Sequence, residues 1–200
     1  MNISSTGSMP LRYYSIGSFA ENCILEGNVS ISGYLEYFWL LESAKDSLCM
    51  QNLRLISSGT AGYSCGIETH GDNNLLRGEY YINIIAGSMT FYITQASVSS
   101  EFSGDVIFID DGNYATLYGA SGSEDVVLDM DVQCISNWDA VFYGLNKCSG
   151  SVLTGEISLT GLMYSFVGAD GGEHNQVLAN IFAHRDSGYN ANQFKVLHQE

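Results

Sequence analysis

Apolar and polar positions alternate in one short phrase that returns seven times along the chain: an apolar residue, a spacer, usually a small residue, an acid or amide, then apolar, any, apolar. The clear copies are Leu25-Glu-Gly-Asn28-Val29-Ser-Ile31, Leu76-Arg-Gly-Glu79-Tyr80-Tyr-Ile82, Phe102-Ser-Gly-Asp105-Val106-Ile-Phe108 and Leu153-Thr-Gly-Glu156-Ile157-Ser-Leu159. Looser copies occupy 49–55, 128–134 and 177–183, with Asn52, Asp131 and Asn180 at the acid or amide position. A period of two places Val29 with Ile31, Leu53 with Leu55, Val106 with Phe108 and Ile157 with Leu159 on one face, so the phrase predicts a strand. After each copy comes a glycine or polar corner and a second apolar and aromatic stretch, as in 33–39, 87–92, 112–119, 137–144 and 161–168. A third short apolar element, such as 126–128, 152–153 or 177–178, leads into the next copy.

Measured at the acid or amide, the intervals are 52 − 28 = 24, 79 − 52 = 27, 105 − 79 = 26, 131 − 105 = 26, 156 − 131 = 25 and 180 − 156 = 24. A near-constant interval of this size marks a repeat architecture, in which no unit buries its own apolar face and each must stack on its neighbours. Units of two or three strands with tight corners fit the coils of a parallel β-helix, with equivalent residues stacked in vertical files. On this periodicity, over about 23–197, the chain resembles the β-solenoid class, in particular the right-handed parallel β-helix of pectate-lyase-like proteins and viral tailspikes. The resemblance concerns the fold alone and carries over no catalytic signature. The expected fold is therefore all-β, a parallel β-helix of about seven coils, with residues 1–22 as an N-terminal cap, 23–187 as the repeats and 188–200 as a C-terminal cap or tail. An antiparallel β-sandwich or barrel would show similar local signals, but it does not predict a constant interval.

Composition narrows the partners. Apolar residues make up 46% of the chain and charged residues 14%, which is ample for a core and unlike a disordered segment. Twenty-two glycines and a single proline suit a chain that turns often yet stays in hydrogen-bonded ladders. The net charge of −15, with seven Lys and Arg spread thinly, leaves no cationic stripe for nucleic acid or an anionic membrane surface. The longest uninterrupted apolar run, 37–41, is far short of the roughly 20 residues a membrane-spanning helix needs. Residues 1–21 lack the basic start and apolar centre of a secretory signal, so the expected location is a virion or the cytoplasm rather than classical secretion. The five cysteines show no close CxxC pair, and Cys49 and Cys134 fall in apolar files, so they read as ordinary buried thiols, with a single disulfide as the alternative.

Candidate chemistry is scattered. Glu79, Asp105, Asp131 and Glu156 fall out of phase with the apolar positions, so stacked coils would align them on the solvent face about 5 Å apart, where like charges repel. Shared cations would relieve that repulsion, which makes the file a candidate calcium ridge, with Asp110 and Asp111 of the Asp110-Asp111-Gly112-Asn113 corner as further ligands. Glu68, His70 and Asp72 alternate along an extended segment and form a candidate metal site. Gly62-Tyr-Ser64-Cys-Gly66 matches the nucleophile-elbow pattern but lacks the helix that this geometry requires. Tyr34, Tyr37, Trp39, Tyr81, Tyr118, Trp138 and Tyr143 supply aromatic surface of the kind used at protein interfaces and in sugar binding. The expectation from these residues is a non-enzymatic structural or attachment protein that forms a homo-oligomer or docks on a larger assembly such as a phage virion or surface filament. The second reading is a carbohydrate-binding or polysaccharide-cleaving β-helix module. No cofactor other than calcium is expected.

Overall fold

The computed structural model describes residues 1–4, 14–60, 64–112, 114–137, 139–161, 165–184 and 194–195. Every strand pairing among them is parallel, and each strand pairs with its equivalents one coil away, which excludes the antiparallel alternative. Two sheets result. The long sheet stacks Asn2–Ser4, Ile24–Leu35, Leu48–Thr60, Leu75–Ile84, Glu101–Asp110 and Val127–Ser136, then Val152–Thr154 with Glu156–Gly161, and Gln176–Val177 with Asn180–His184. The short sheet stacks Tyr14–Ser18, Phe38–Glu42, Ser64–Thr69, Ser88–Gln95, Tyr114–Ser121, Asp139–Asn146, Ser165–Asp170 and Phe194–Lys195. The chain is a β-solenoid of about six turns, because seven repeated phrases are separated by six steps. The third apolar element merges with the phrase at 126–128, where Val127 and Leu128 begin the same strand, Val127–Ser136, and is a short strand of its own at Val152–Thr154 and Gln176–Val177. Parts of the N-terminal segment, Asn2–Ser4 and Tyr14–Ser18, pair with Ile24–Leu35 and Phe38–Glu42, so they extend both ladders by one rung.

The alternation fills the interior with vertical files. Ile31, Leu55, Ile82, Phe108, Cys134 and Leu159 lie one above another in register, and all are buried. Opposite them the short sheet contributes the file Phe38, Cys65, Phe91, Leu117, Phe142 and Phe166, also buried. Each fully buried side chain of this size stabilises the fold by about 1.5–3 kcal/mol relative to exposure. The rungs must lie close, and glycine marks where they approach most: a Cβ on Gly104 would stand 2.0 Å from the carbonyl oxygen of Gly78. That accounts for the glycine before the acid at Gly78, Gly104 and Gly155, whereas Gly27 has open space and Gln51 and Met130 fill the same place in other rungs.

Between the short sheet and the next rung of the long sheet, the chain turns through two left-handed residues three apart. The first of each pair is Phe19, Ser43, His70, Ala96, Gly122, Lys147 or Gly171, and the second is Asn22, Asp46, Asn73, Ser99, Asp125, Gly150 or His174. Their intervals, 43 − 19 = 24, 70 − 43 = 27, 96 − 70 = 26, 122 − 96 = 26, 147 − 122 = 25 and 171 − 147 = 24, equal those of the phrase. Left-handed backbone costs a non-glycine residue roughly 1–2 kcal/mol. Inter-rung hydrogen bonds offset it, among them Ser43 N to Thr69 O at 2.8 Å and His70 N to Gln95 O at 2.9 Å. The residues between the two turns form a third, narrow ladder of single bridges: Glu21, Lys45, Asp72, Val98, Glu124 and Ser149.

The five cysteines are free thiols. Burial pushes the Cys49 and Cys65 thiols up to about 12 and raises Cys134 and Cys148 as well, so these four are poor nucleophiles. Cys23 alone is exposed. A disulfide reagent such as Ellman's compound is expected to titrate one thiol in the native protein and five after unfolding; two or more fast thiols in the native state would contradict this packing.

Candidate functional site

The long sheet does align the acid and amide positions into one file. Asn28 pairs with Asn52, Glu79 with Asp105, Asp105 with Asp131, and Glu156 with Asn180, and all of these side chains are exposed. The backbone supplies a reason for the residue type. The ladder is interrupted at two steps, between Met50–Arg77 and Leu53–Tyr80 and between Asp129–Thr154 and Val132–Ile157. At each gap the orphaned amide of the upper rung donates to a side-chain oxygen of this file: Glu79 N to Asn52 Oδ1 at 3.0 Å and Glu156 N to Asp131 Oδ1 at 2.9 Å. An unpaired backbone donor would cost about as much as a lost hydrogen bond. Asn52 and Asp131 therefore act as caps for a kinked strand, a role that needs no cation.

Asp110 does not extend that ridge. It points inward and is fully buried, accepting from Gly112 N at 3.0 Å and from Ser136 Oγ at 3.5 Å, so it fixes the corner after its strand. Asp111 is exposed and accepts from Asn137 Nδ2 of the next rung. Asn113 lies outside the described residues.

Glu68, His70 and Asp72 do not share a face, because the left-handed backbone at His70, φ 53°, breaks the alternation between them. His70 is exposed with its Nδ1 2.9 Å from Thr69 Oγ1, and Asp72 forms an ion pair with Lys45 at 3.4 Å. Glu68 is turned into the interior and is fully buried. Its Oε1 accepts from Asn74 Nδ2 at 2.8 Å and Ser100 Oγ at 3.2 Å, and its Oε2 accepts from Thr94 Oγ1 at 3.2 Å. Desolvation raises its pKa above the ordinary carboxylate value, while the hydrogen bonds from Asn74, Ser97, Ser100 and Thr94 pull the other way. Gly71 makes room for it, since a Cβ there would meet Glu68 Oε1 at 2.1 Å. Among the described residues, no group of three His, Cys, Asp or Glu converges as metal ligands would.

Glu68 sits against a buried polar file that the sequence pattern did not reveal. At most corners a backbone amide donates to the side chain one rung above, the file being interrupted at the apolar Val126: Cys23 N to Ser47 Oγ at 3.2 Å, Ser47 N to Asn74 Oδ1 at 2.8 Å, Asn74 N to Ser100 Oγ at 3.3 Å, and Ser151 N to Asn175 Oδ1 at 3.1 Å. The available signal was a Ser or Asn two residues before the first apolar residue of a phrase, as in Ser47 before Cys49, Asn74 before Leu76 and Ser151 before Leu153.

The aromatic candidates separate into several environments. Tyr34 is half-buried in Ile24–Leu35. Tyr81 is half-buried on the long sheet with the Arg54 guanidinium 5.6 Å from its ring centre. Tyr37 donates to Glu42 Oε1 at 2.9 Å and meets Trp39 edge-on at 6.2 Å. Trp39 is only 1% exposed, so it is not the open aromatic surface that its sequence position suggests. Its ring fills the space left by Gly66, whose added Cβ would stand 2.4 Å from Trp39 Cζ3. Trp138 lies outside the described residues.

On the outer face of the short sheet, register brings Tyr118 and Tyr143 together with Tyr92. The Tyr92 and Tyr118 rings stack at 4.8 Å with 8° between planes, and Tyr118 and Tyr143 at 4.9 Å with 10°. Trp39 extends the file, 6.0 Å from Tyr92. The spacing is that of the rungs, so parallel pairing itself imposes the stack. Burial raises all three phenols, and for Tyr118 the flanking Tyr92 and Tyr143 add to it, pushing it up to about 12. The consequence is geometric: the ring faces cover one another, and what is left outward is a row of edges and neutral hydroxyls.

No family model matches the chain, and neither a curated protein nor a solved structure matches it.

Proposed function

We propose that this chain is a non-enzymatic structural or attachment element, a stiff β-solenoid that assembles with copies of itself or on a larger particle such as a virion or surface filament of the tailspike kind. The observation that carries this reading is the stacked row Tyr92, Tyr118 and Tyr143, an ordered feature of the outer face that register alone builds. Aromatic rows that are already rigid lose little side-chain entropy when a partner covers them, which is why such residues concentrate at interfaces. A carbohydrate module would instead use open ring faces, and the faces in this row are occupied by neighbouring rings. The buried acids Glu68 and Asp110 belong to corner hydrogen bonding rather than to a cleft. Light scattering is expected to show a defined multiple of the 21.8 kDa chain, with no binding on a glycan array and no release of reducing ends from acidic polysaccharides. A monomer that binds a glycan would reverse the reading.

A further inference from the structure

We propose that the folded chain closes an ester bond on itself, joining the side chain of Asn74 to that of Ser100 one rung away, with Glu68 moving the proton. The corner alone does not call for that acid. Leu41, Glu68, Thr94, Ala120, Leu145 and Ala169 lie in register, and apart from Thr94 every other member of this inward file is apolar. Nor does an asparagine in this position need a carboxyl beside it. Asn175 accepts from Ser151 N at 3.1 Å and donates to Cys148 O at 2.6 Å, much as Asn74 is held, yet the residue six places before it is Ala169 where Asn74 has Glu68. Burying an acid is costly, so one that the corner can do without calls for another role.

The contacts of Glu68 supply one. Ser100 Oγ accepts from Asn74 N at 3.3 Å, which leaves its own proton directed to Glu68 Oε1 at 3.2 Å. The same oxygen accepts from Asn74 Nδ2 at 2.8 Å. One carboxylate oxygen therefore touches both a nucleophile and the nitrogen that would leave. The Asn74 amide is fixed in orientation, because Nδ2 also donates to Ala44 O at 2.8 Å and Oδ1 accepts from Ser47 N at 2.8 Å. That Ser47 amide is aimed where negative charge grows during attack on the carbonyl. Gly71 keeps the meeting place clear, since a Cβ there would collide with Glu68 Oε1 and stand 2.8 Å from Asn74 Nδ2. Ser47, Glu68, Asn74 and Ser100 are each at most 3% exposed, so bulk water does not compete with the serine.

The step balances without an oxidant or a co-reactant. Ionised Glu68 takes the hydroxyl proton as Ser100 Oγ bonds to Asn74 Cγ, and the oxyanion on Oδ1 keeps its hydrogen bond from Ser47 N. Glu68 then passes that proton to Nδ2, the Cγ–Nδ2 bond breaks, and ammonia leaves. Hydroxyl and amide have become ester and ammonia, and Glu68 is regenerated. Its raised pKa suits a group that serves first as base and then as acid near neutral pH. Loss of ammonia to solvent, where it is protonated, draws the exchange forward. The product ties two successive coils covalently across 100 − 74 = 26 residues, in a fold whose repeats otherwise hold only by nearest-neighbour contacts.

The test is intact mass spectrometry of the folded chain followed over days. The expected result is a loss of about 17 Da, the mass of ammonia, with proteolysis and fragmentation locating a link between Asn74 and Ser100. Mild alkali should part the linked peptides and leave aspartate at position 74. Ser100→Ala and, independently, Glu68→Gln should each keep the full mass with an unchanged circular dichroism spectrum, whereas Thr94→Val should still lose ammonia. A wild-type chain that keeps its full mass overturns the inference. So does a loss that survives in Ser100→Ala, the mark of an imide formed with the backbone, a loss that survives in Glu68→Gln, or a link that maps to Thr94. Should a variant misfold, the presence or absence of the Asn74–Ser100 link in the wild type decides the matter.

Discussion

Replacing Phe108 with alanine is expected to lower the stability of the protein by about 3–5 kcal/mol, a large fraction of the roughly 5–15 kcal/mol that holds a typical domain together. Phe108 is fully buried and lies between Ile82 on the rung before and Cys134 on the rung after, so its loss empties space against two neighbours at once. A solenoid has only nearest-neighbour contacts between repeats, so a central defect weakens the coupling between the halves on either side. Urea denaturation should show a lower midpoint and a broadened or divided transition, and hydrogen exchange should report unequal protection of residues before and after 101–110. Ile31→Ala, in the same file near one end, should cost less because fewer described rungs lie beyond it. A single sharp transition shifted equally by both variants would contradict nearest-neighbour stacking.

Glu68→Ala is expected to cost a comparable amount, about 3–5 kcal/mol, because it leaves Asn74 Nδ2, Thr94 Oγ1 and Ser100 Oγ facing a void in place of an acceptor. Glu68→Gln separates charge from shape. In the unfolded chain the carboxyl titrates near its ordinary value of 4.5, whereas in the native state burial holds the proton to higher pH. The native state thus binds more protons across that window, so the contribution of Glu68 to stability is complete below about 4.5 and is lost as pH rises through the elevated native value. The amide does not titrate. Stability of the wild type minus that of Glu68→Gln should therefore fall with rising pH, at no more than about 1.36 kcal/mol per pH unit. Subtracting the variant removes the general repulsion among the other acids. A difference that stays flat or rises from pH 4 to 8 would show that Glu68 is ionised in the native interior.

These two residues also mark how far the chain could be read before folding. Phe108 was placed correctly by alternation alone, since its file repeats the same apolar position in every phrase and a period of two has only one inward choice. Glu68 was misplaced by the same rule. Alternation set it beside His70 and Asp72, but the backbone turns left-handed at His70, and one such residue sends Glu68 inward and the other two outward. Asp110 looks from its residue type like a further ligand of the acidic file but is an interior corner brace for a similar reason: sequence gives the residue type at a corner, and only the path of the backbone gives its direction.

What the sequence determined by itself was the repeat: the interval of 24 to 27 residues, the inward files and the parallel stacking that a constant interval demands. These follow from the requirement that each coil bury an apolar face it cannot bury alone, a constraint written in periodicity. The tertiary structure alone decided which outward residues matter. Tyr92, Tyr118 and Tyr143 lie 26 and 25 residues apart and become a stack only because register sets each ring one rung above the last. The same register hides Trp39 over Gly66, sets Asn52 and Asp131 under orphaned amides, and joins Ser47, Asn74 and Ser100 into a buried ladder. Contacts between rungs are local in space and distant in sequence, and their outcome depends on fractions of an ångström of backbone placement that no pattern of residue types contains.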